Sequence, residues 1–380
     1  MNKSDSTYDV IVIGVGGMGS ATVWQLAQRG YRVLGLEQFN IPNNLGSSHG
    51  QTRIIRLAYS EHPSYVPLLR HAYSLWKDIE DRAGEKLLHI TGGLDASAPE
   101  EWVFQDSKKS CEEYGLPHEI LTGSEVNYRF PGYQIPEHTM AVFQPDGGYL
   151  LSERCIVAHI EAAQDKGAEI HGFEPVLEWS SNNDSVTVTT SKNIYNASRL
   201  IITAGGWMGK VVKTLGQTVQ PERQVLAWIQ PKRLDYFQPE HFPVFNLQVP
   251  EGRYYGTPVH NIPGFKVGRY HHLQETIEMD TIDRSIHSRD ETVLRDFVEY
   301  YFPDGAGPTL SLMVCAFTNT SDGHFILDTH PEHPNVFVAS PCSGHGFKFC
   351  SIIGDIMADL ATTGQTSHDI SLHQLARLNL

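Results

Sequence analysis

The fold is decided by residues 8–19, which read YDVIVIGVGGMG. The first six residues are mostly apolar and β-branched, the pattern of a strand buried on both faces of a parallel sheet. Gly14 permits a tight turn, Gly16 lets the backbone approach a pyrophosphate, and Gly19 lets the following helix pack against the strand. This spacing predicts a dinucleotide-binding unit in which the helix N-terminus faces the phosphates.

The next stretch of sequence supports the same unit. A helix-like segment over 20–29 ends at Gly30, and an apolar strand over 32–36 follows it. Glu37 then comes about twenty residues after the glycines, where an acidic side chain can accept hydrogen bonds from ribose hydroxyls. An acid at this position disfavours NADP, because it would repel the additional phosphate. The alternative for Glu37 is a solvated carboxylate at the end of a strand.

Length and composition exclude several classes of protein. A chain of 380 residues favours two domains. Its 44 acidic and 29 basic side chains give a net charge of -15, so neither nucleic acid nor a membrane surface is an expected partner. The five cysteines include no CxxC pair, so we expect neither a disulfide framework nor a metal site. With no signal-peptide pattern and no apolar run of membrane-spanning length, the protein is expected to be cytoplasmic.

Longer motifs carry a family resemblance. They are GSSHGQTRIIR at 46–56, YYG at 254–256, CAFTNTSDGHFILD at 315–328 and SGHGFK at 343–348, with Lys266 among them. In this order they resemble the monomeric sarcosine oxidase and N-methyltryptophan oxidase family, which comprises covalent-flavin amine oxidases of the D-amino-acid oxidase superfamily. The resemblance runs nearly from end to end.

The resemblance implies a fold of α/β and α+β class. An FAD-binding, Rossmann-like domain of the glutathione-reductase type is expected from segments 1–85, 145–225 and 310–380. A second, sheet-based substrate domain is expected from segments 86–144 and 226–309. The family also implies a monomer that acts on a small molecule.

The implied reaction is FAD-dependent oxidation of the C–N bond of a secondary amine or N-methyl amino acid to an imine, with O2 reduced to hydrogen peroxide. The substrate is expected to be sarcosine-like or bulkier, such as N-methyltryptophan. The alternatives within enzymes are an oxidase of a cyclic or fructosyl amino acid, such as pipecolate or proline, and an FAD-dependent amine dehydrogenase. A non-catalytic dinucleotide-binding or redox-sensing protein is the alternative from a different class.

The resemblance assigns roles around the cofactor. Cys315 stands where the family attaches FAD covalently through a thioether, although a cysteine in an apolar sequence is by itself more often a buried hydrophobic residue. Lys266 is implied to activate O2 with its charge, Arg53 to assist it, and His49 to lie near the flavin. The alternative for His49 is a hydrogen-bonded loop histidine. The predicted cofactor-binding residues are Gly14, Gly16, Gly17, Met18, Gly19, Glu37, Gln38, Ser47, Ser48, Arg53, Val176, Ala204, Gly205, Trp207, Cys315, Ser343, Gly344, His345, Gly346, Phe347 and Lys348.

Two cations are implied to bind the carboxylate of the substrate. By resemblance these are Arg56 and Lys348, and guanidinium and ammonium groups suit such an anion. Taken alone, an arginine in such a loop is most often solvated. Tyr255, the second tyrosine of the YYG motif, is implied to line the substrate pocket, and its alternative is an ordinary place in the aromatic core.

Three positions depart from the family pattern on the substrate side. Tyr270 stands where a histidine is common, so either the tyrosine replaces it or a one-residue bulge brings His271 inward. Phe317 stands where sarcosine oxidases carry tyrosine, and Phe245 stands where a methionine lines the sarcosine pocket. The additional aromatic surface predicts a substrate larger than sarcosine.

Overall fold

The computed structural model describes residues 7–182, 184–340 and 343–378. The strands are β1 Thr7–Ile13, β2 Val33–Leu36, β3 Thr52–Ile55, β4 Leu88–Ile90, β5 Gly93–Ser97, β6 Glu119–Thr122, β7 Met140–Gln144, β8 Gly148–Leu151, β9 Glu169–His171, β10 Val176–Ser181, β11 Val186–Thr190, β12 Ile194–Ile202, β13 Gln220–Ile229, β14 Val244–Val249, β15 Gly252–Thr257, β16 Phe265–Arg269, β17 Thr309–Asn319, β18 Ile326–His330 and β19 His333–Ser340. The α-helices are α1 Gly17–Gln28, α2 Tyr65–Ala83, α3 Trp102–Tyr114, α4 Gly123–Arg129, α5 Ser152–Asp165, α6 Met208–Val211, α7 Ser288–Tyr301 and α8 Cys350–Thr363. Within these ranges no helix has both the length and the apolar character to cross a membrane.

The first sheet holds the dinucleotide-binding unit. Its strand order is β10-β11-β12-β1-β2-β9, with β19 paired to β12 and β18 paired to β19. Strand β1 is parallel to both β2 and β12, and helix α1 packs against α5 and α8. The close return of α1 depends on Gly19, because a Cβ there would lie 1.8 Å from the carbonyl oxygen of Gly14. The predicted buried strand and closely packed helix are confirmed.

The second sheet has the order β17-β13-β16-β15-β14-β5-β7-β6. Helix α7 packs against β13 and β16 of this sheet. Its core is strongly aromatic: the ring centroid of Phe242 lies 4.8 Å from that of Phe237 and 5.8 Å from that of Phe302. A third, three-stranded sheet has the order β3-β8-β4 and carries Arg53 on β3.

Strand β13 crosses the predicted boundary between segments 145–225 and 226–309. Strand β17 belongs almost entirely to segment 310–380, which was assigned to FAD binding, yet it pairs antiparallel with β13 of the second sheet. The register sets Cys315 opposite Gln224. Both strands bury a long run of residues, so they stabilise each other as neighbours. The domain boundaries stay a prediction.

Candidate active site

A cavity of about 770 Å³ is lined by residues from all three sheets. The predicted site residues in its wall are Gly14, Gly16, Gly17, Met18, Glu37, Gln38, Ser47, Ser48, Arg53, Arg56, Val176, Ala204, Gly205, Trp207, Tyr255, Lys266, Tyr270, Cys315, Phe317, Gly344, His345, Gly346, Phe347 and Lys348. The fold therefore brings most of the predicted cofactor and substrate residues into one space, although they come from both ends of the chain.

The glycine-rich loop forms one end of this cavity. Glu37 is buried there, and its carboxylate accepts hydrogen bonds from the backbone N–H groups of Val15 at 3.0 Å and Phe39 at 3.1 Å. A Cβ on Gly17 would lie 3.0 Å from Ser48 Oγ and 2.8 Å from Cys350 Sγ, so the packing at this position requires glycine. Helix α1 has no acidic residue in its first turn, so no carboxylate of that turn neutralises its positive end. Such an end suits a phosphate.

Five predicted residues do not line the cavity: Gly19, His49, Phe245, His271 and Ser343. Gly19 does not line the cavity because it lies where helix α1 packs closely against the glycine-rich turn. Ser343 lies behind the wall, where its carbonyl oxygen accepts a hydrogen bond from the Tyr270 hydroxyl at 2.8 Å. These two residues support cavity-lining neighbours.

The prediction that Phe245 lines the substrate pocket is wrong. Its ring belongs to the aromatic core of the second sheet, with centroids 4.9 Å from Phe302 and 6.1 Å from Tyr133. Successive side chains of a strand point to opposite faces, so the next residue of β14, Asn246, faces the cavity instead. The prediction missed the cavity residue by one position.

The prediction that His271 binds substrate is also wrong. Strand β16 ends at Arg269, and His271 lies in the following turn with φ +57°. Its ring is largely exposed, and its Nδ1 atom lies 3.0 Å from Glu222 Oε2. No bulge turns it inward, and of the two alternatives it is Tyr270 that lines the cavity.

His49 lies beside Cys315 and outside the cavity wall. Its Nδ1 atom is 3.0 Å from Met313 Sδ, and the ring is buried. Arg53 Nη2 lies 3.8 Å from Cys315 Sγ. Burial alone would raise the pKa of the Cys315 thiol, but His49 and Arg53 outweigh burial and lower this pKa to about 7. A substantial thiolate fraction is therefore present near neutral pH.

Lys266 is buried on β16 without an acidic partner. Its Nζ donates to the backbone carbonyls of Gly50, at 3.2 Å, and Thr52. No carboxylate within the described residues forms an ion pair with it. Burial, and then the nearby charge of Arg53, lower the pKa of Lys266 well below its usual range. An electron-rich ligand beside this amine would favour its protonated form.

Comparison with known proteins identifies the family. The family model described as FAD dependent oxidoreductase matches residues 9–360. The chain is a member of this family. Monomeric sarcosine oxidase of Streptomyces avermitilis is 40% identical over 377 residues, which cover 98% of each chain. N-methyl-L-tryptophan oxidase of Yersinia pestis is 35% identical over 373 residues, with 97% of this chain and 99% of the relative covered.

These relatives place this FAD-dependent oxidoreductase in the sarcosine oxidase and N-methyltryptophan oxidase group, so the predicted resemblance is confirmed. The solved structure of L-proline dehydrogenase from P. horikoshii has a TM-score of 0.85 at 21% identity and covers 98% of both chains. That likeness shows the fold, and it confirms the predicted fold class.

The second buried lysine of the oxidoreductase is Lys348. Its Nζ donates to the carbonyl oxygen of His345 at 2.8 Å, and no carboxylate of the described residues lies within ion-pair distance. Burial, followed by the charge of Arg56, lowers the pKa of Lys348 to about 7. An anion bound here would supply the missing counter-charge.

Arg56 reaches the same region but is already paired. Its Nε donates to both oxygens of Asp95, at 2.9 and 3.1 Å, and its Nη2 donates to Glu61 at 3.1 Å. These carboxylates raise the pKa of Arg56 although burial opposes the charge. The Nη1 atom has no hydrogen-bond partner among the described residues, so it is the part of Arg56 that can bind a ligand.

The cavity-lining residues that sequence analysis missed include Glu61, Asn246 and Arg253, which form hydrogen bonds in the part of the wall around Arg56. Arg253 carried a usable signal, because alternation along β15 puts it on the same face as Tyr255. Glu61 follows the arginine-containing motif by a few residues and gave no distinct signal of its own.

A cluster of possible ligands for a cation lies near the turn between β18 and β19. Ligand atoms of His330, Glu332 and His333 lie within 4.8 Å of one another. Two of the ring nitrogens already have partners: His330 Nδ1 accepts from the backbone N–H of Glu332 at 3.2 Å, and His333 Nδ1 lies 3.1 Å from Ser181 Oγ. These bonds explain the cluster as part of the turn, and the expectation of no metal site stays a prediction.

Proposed function

We propose that this enzyme oxidises the C–N bond of a secondary amine or N-methyl amino acid to an imine and passes the electrons to O2, giving hydrogen peroxide. The observation that carries the proposal is that the glycine-rich loop, Lys266 and Lys348 line one cavity. One cavity thus holds a loop suited to the cofactor, a cation for the reaction with oxygen and a cation for a carboxylate. The names of the two relatives, sarcosine oxidase and N-methyl-L-tryptophan oxidase, support this substrate class.

The residues at the glycine-rich end fit FAD. The Glu37 carboxylate is held in place at the wall, and the start of α1 offers backbone N–H groups to a pyrophosphate. FAD bound there would supply the two-electron acceptor for the amine. The chain's own task at this end is to hold the dinucleotide in a fixed position.

We further propose that Cys315 attaches FAD covalently: a C–S bond would replace a C–H bond of the flavin, and the two electrons released would pass to O2, the acceptor of the proposed reaction. The sulfur lines the cavity, and its pKa of about 7 makes the nucleophilic thiolate accessible. Acid precipitation tests this directly: yellow colour stays with the precipitated protein, whereas the Cys315→Ser variant releases it to the supernatant. Colour wholly in the supernatant of the unaltered protein would disprove attachment.

Arg56 Nη1 and the Lys348 ammonium are proposed to bind the substrate carboxylate. The amine of the substrate then lies among Tyr255, Tyr270 and Phe317, where low polarity favours its neutral, reactive form. Burial raises the pKa values of both tyrosines, so their phenols stay protonated and do not act as bases. Deprotonation of the amine is therefore driven by its surroundings.

Lys266 is proposed to promote the reaction with O2. It is buried and donates to two backbone carbonyls, and no carboxylate in the described part of the chain forms an ion pair with it. A fixed positive charge in a water-poor site stabilises negative charge as it develops on oxygen.

A panel of amines tests the activity. Anaerobic bleaching of the yellow enzyme by sarcosine, other N-methyl amino acids, pipecolate, proline or fructosyl-glycine, together with peroxide release in air, is the expected result. If none of these amines bleaches the enzyme, the proposal fails; bleaching without peroxide release would favour a dehydrogenase. We also infer a monomer, in keeping with the monomeric sarcosine oxidase of Streptomyces avermitilis, and a cytoplasmic location.

A further inference from the structure

An ion network lies in the substrate part of the cavity. Glu61 bridges two guanidinium groups: its Oε2 accepts from Arg56 at 3.1 Å, and its Oε1 accepts from Arg253 at 2.7 Å. Asp95 holds Arg56 from the other side and accepts a hydrogen bond from Asn246 at 2.5 Å. Arg253 closes the network by donating its Nε to Asn246 Oδ1 at 2.6 Å.

The orientation of Arg253 is fixed. Its guanidinium carbon lies 4.3 Å from the ring centroid of Tyr270 and 4.8 Å from that of Trp102. Cation–π contact on both rings, added to the bonds with Glu61 and Asn246, leaves the group little freedom. A donor held in this way binds a ligand group without the cost of ordering a flexible side chain.

The network offers donors and few acceptors to the cavity. Both oxygens of Glu61 are engaged by guanidinium groups, and Asp95 is engaged by Arg56 and Asn246. In contrast, Nη1 of Arg253 has no hydrogen-bond partner among the described residues, although Arg253 lines the cavity. A ligand group that meets this wall must therefore accept hydrogen bonds.

The charged groups of this region leave an excess of one positive charge. Arg56, Arg253 and Lys348 carry three positive charges when protonated, against the two negative charges of Glu61 and Asp95. The α-carboxylate of an amino acid is assigned to Lys348 and Arg56. Arg253 is then the donor that remains for a second group on the same substrate.

We propose that Arg253 determines specificity by binding an oxygen acceptor, a carboxylate or a carboxamide, at the end of the substrate's side chain. The inference rests on the proposed function, since it names the side chain of the amino acid that is oxidised. It also adds a polar group to the aromatic surface from which a substrate larger than sarcosine was predicted, because the Tyr270 ring lies against the Arg253 guanidinium.

The test compares kcat/KM for N-methylglutamate, N-methylglutamine and the similarly long, apolar N-methylnorleucine, each as both enantiomers, with sarcosine as the reference. We expect an acid or an amide to exceed norleucine by about tenfold or more, as for hydrogen bonds to a charged group. The two acceptor substrates show which oxygen group is preferred. Equal or better turnover of N-methylnorleucine would overturn the specificity inference.

Variants separate a specific role from a structural one. Arg253→Met should lower the ratio of kcat/KM for the acceptor substrates to that for N-methylnorleucine by about tenfold or more, beyond any loss that all substrates share through Glu61 and Arg56. Arg269→Met is the matched control, because Arg269 lies on the neighbouring strand outside the cavity wall and its loss should leave the ratio unchanged. Equal losses for all substrates in Arg253→Met would overturn the inference. Failure of every amine, sarcosine included, to bleach the unaltered enzyme would instead disprove the proposed function.

Discussion

Two buried lysines line the same cavity, and their surroundings differ. Lys266 is held by backbone carbonyls beside Arg53, whereas Lys348 lies next to the network of Arg56 and Glu61. Burial lowers the pKa of both amines, but Glu61 partly restores the charge of Lys348, whose pKa is about 7. We infer from this difference that Lys266 meets a charge that develops during the reaction, whereas Lys348 meets a charge that the substrate already carries.

The largest expected effect comes from removing the charge of Lys266. In Lys266→Met, reduction of the enzyme by substrate should continue, while reoxidation by O2 slows by about 10²-fold or more, the usual cost of losing an electrostatic stabiliser. Stopped-flow absorbance measures the two half-reactions separately. Unchanged reoxidation would show that Lys266 has no part in the reaction with oxygen and would remove the contrast between the lysines.

Lys348→Met tests the other half of the contrast. We expect KM for an N-methyl amino acid to rise by about 10- to 100-fold, because one charged hydrogen bond to the carboxylate is lost. Reoxidation by O2 should keep its rate, in contrast to the Lys266 variant. A simple secondary amine without a carboxylate serves as the control substrate, since its KM should not change. An equal rise of KM for both substrates would contradict the carboxylate role.

How far the sequence predicts the site also differs between the two ends of the cavity. The cofactor end depends on local features: the positive φ of Gly14 and an acid directly after β2 are visible in a short stretch of sequence. The substrate end depends on contacts between distant strands. Asp95 on β5 accepts a hydrogen bond from Asn246 on β14, and no sequence pattern within either strand predicts that contact.

Strand alternation explains the error at β14. Phe245 and Asn246 are neighbours, and a shift of one residue moves a side chain from the cavity to the opposite face. The similarity of motifs placed the strand correctly but did not fix which of the two side chains faces inward. The pairing of β14 with β15, in which Asn246 is opposite Tyr255, is what decides it.

A smaller effect is expected in the pH dependence of anion binding, which tests the charge assigned to Lys348 in the comparison of the two lysines. Lys348 is protonated below its pKa of about 7, so a small carboxylate without an amine, such as propionate, should bind best at low pH. Its affinity should fall on the order of tenfold as the pH rises from about 6 to about 8.5, because the ammonium charge is lost. Flavin absorbance reports the Kd. Lys348→Met should flatten the profile, and a profile unaltered in that variant would assign the dependence to another group.

The smallest effect on activity and stability is expected from a change at His271, which lies in the exposed turn after β16 and does not line the cavity. Its ring is exposed, its Nδ1 atom lies 3.0 Å from Glu222, and its centroid lies 5.3 Å from that of Tyr270, so His271→Ala removes a surface pair worth about 1 kcal/mol or less and an edge contact with Tyr270. Thermal unfolding should show a correspondingly small change, and kcat/KM should stay within about twofold. Tyr270→Ala is the matched variant, because it removes the ring that lies over Arg253 and should weaken the preference for acceptor side chains. If His271→Ala changed that preference and Tyr270→Ala did not, His271 rather than Tyr270 would line the substrate pocket. The alternative with a one-residue bulge would then be correct.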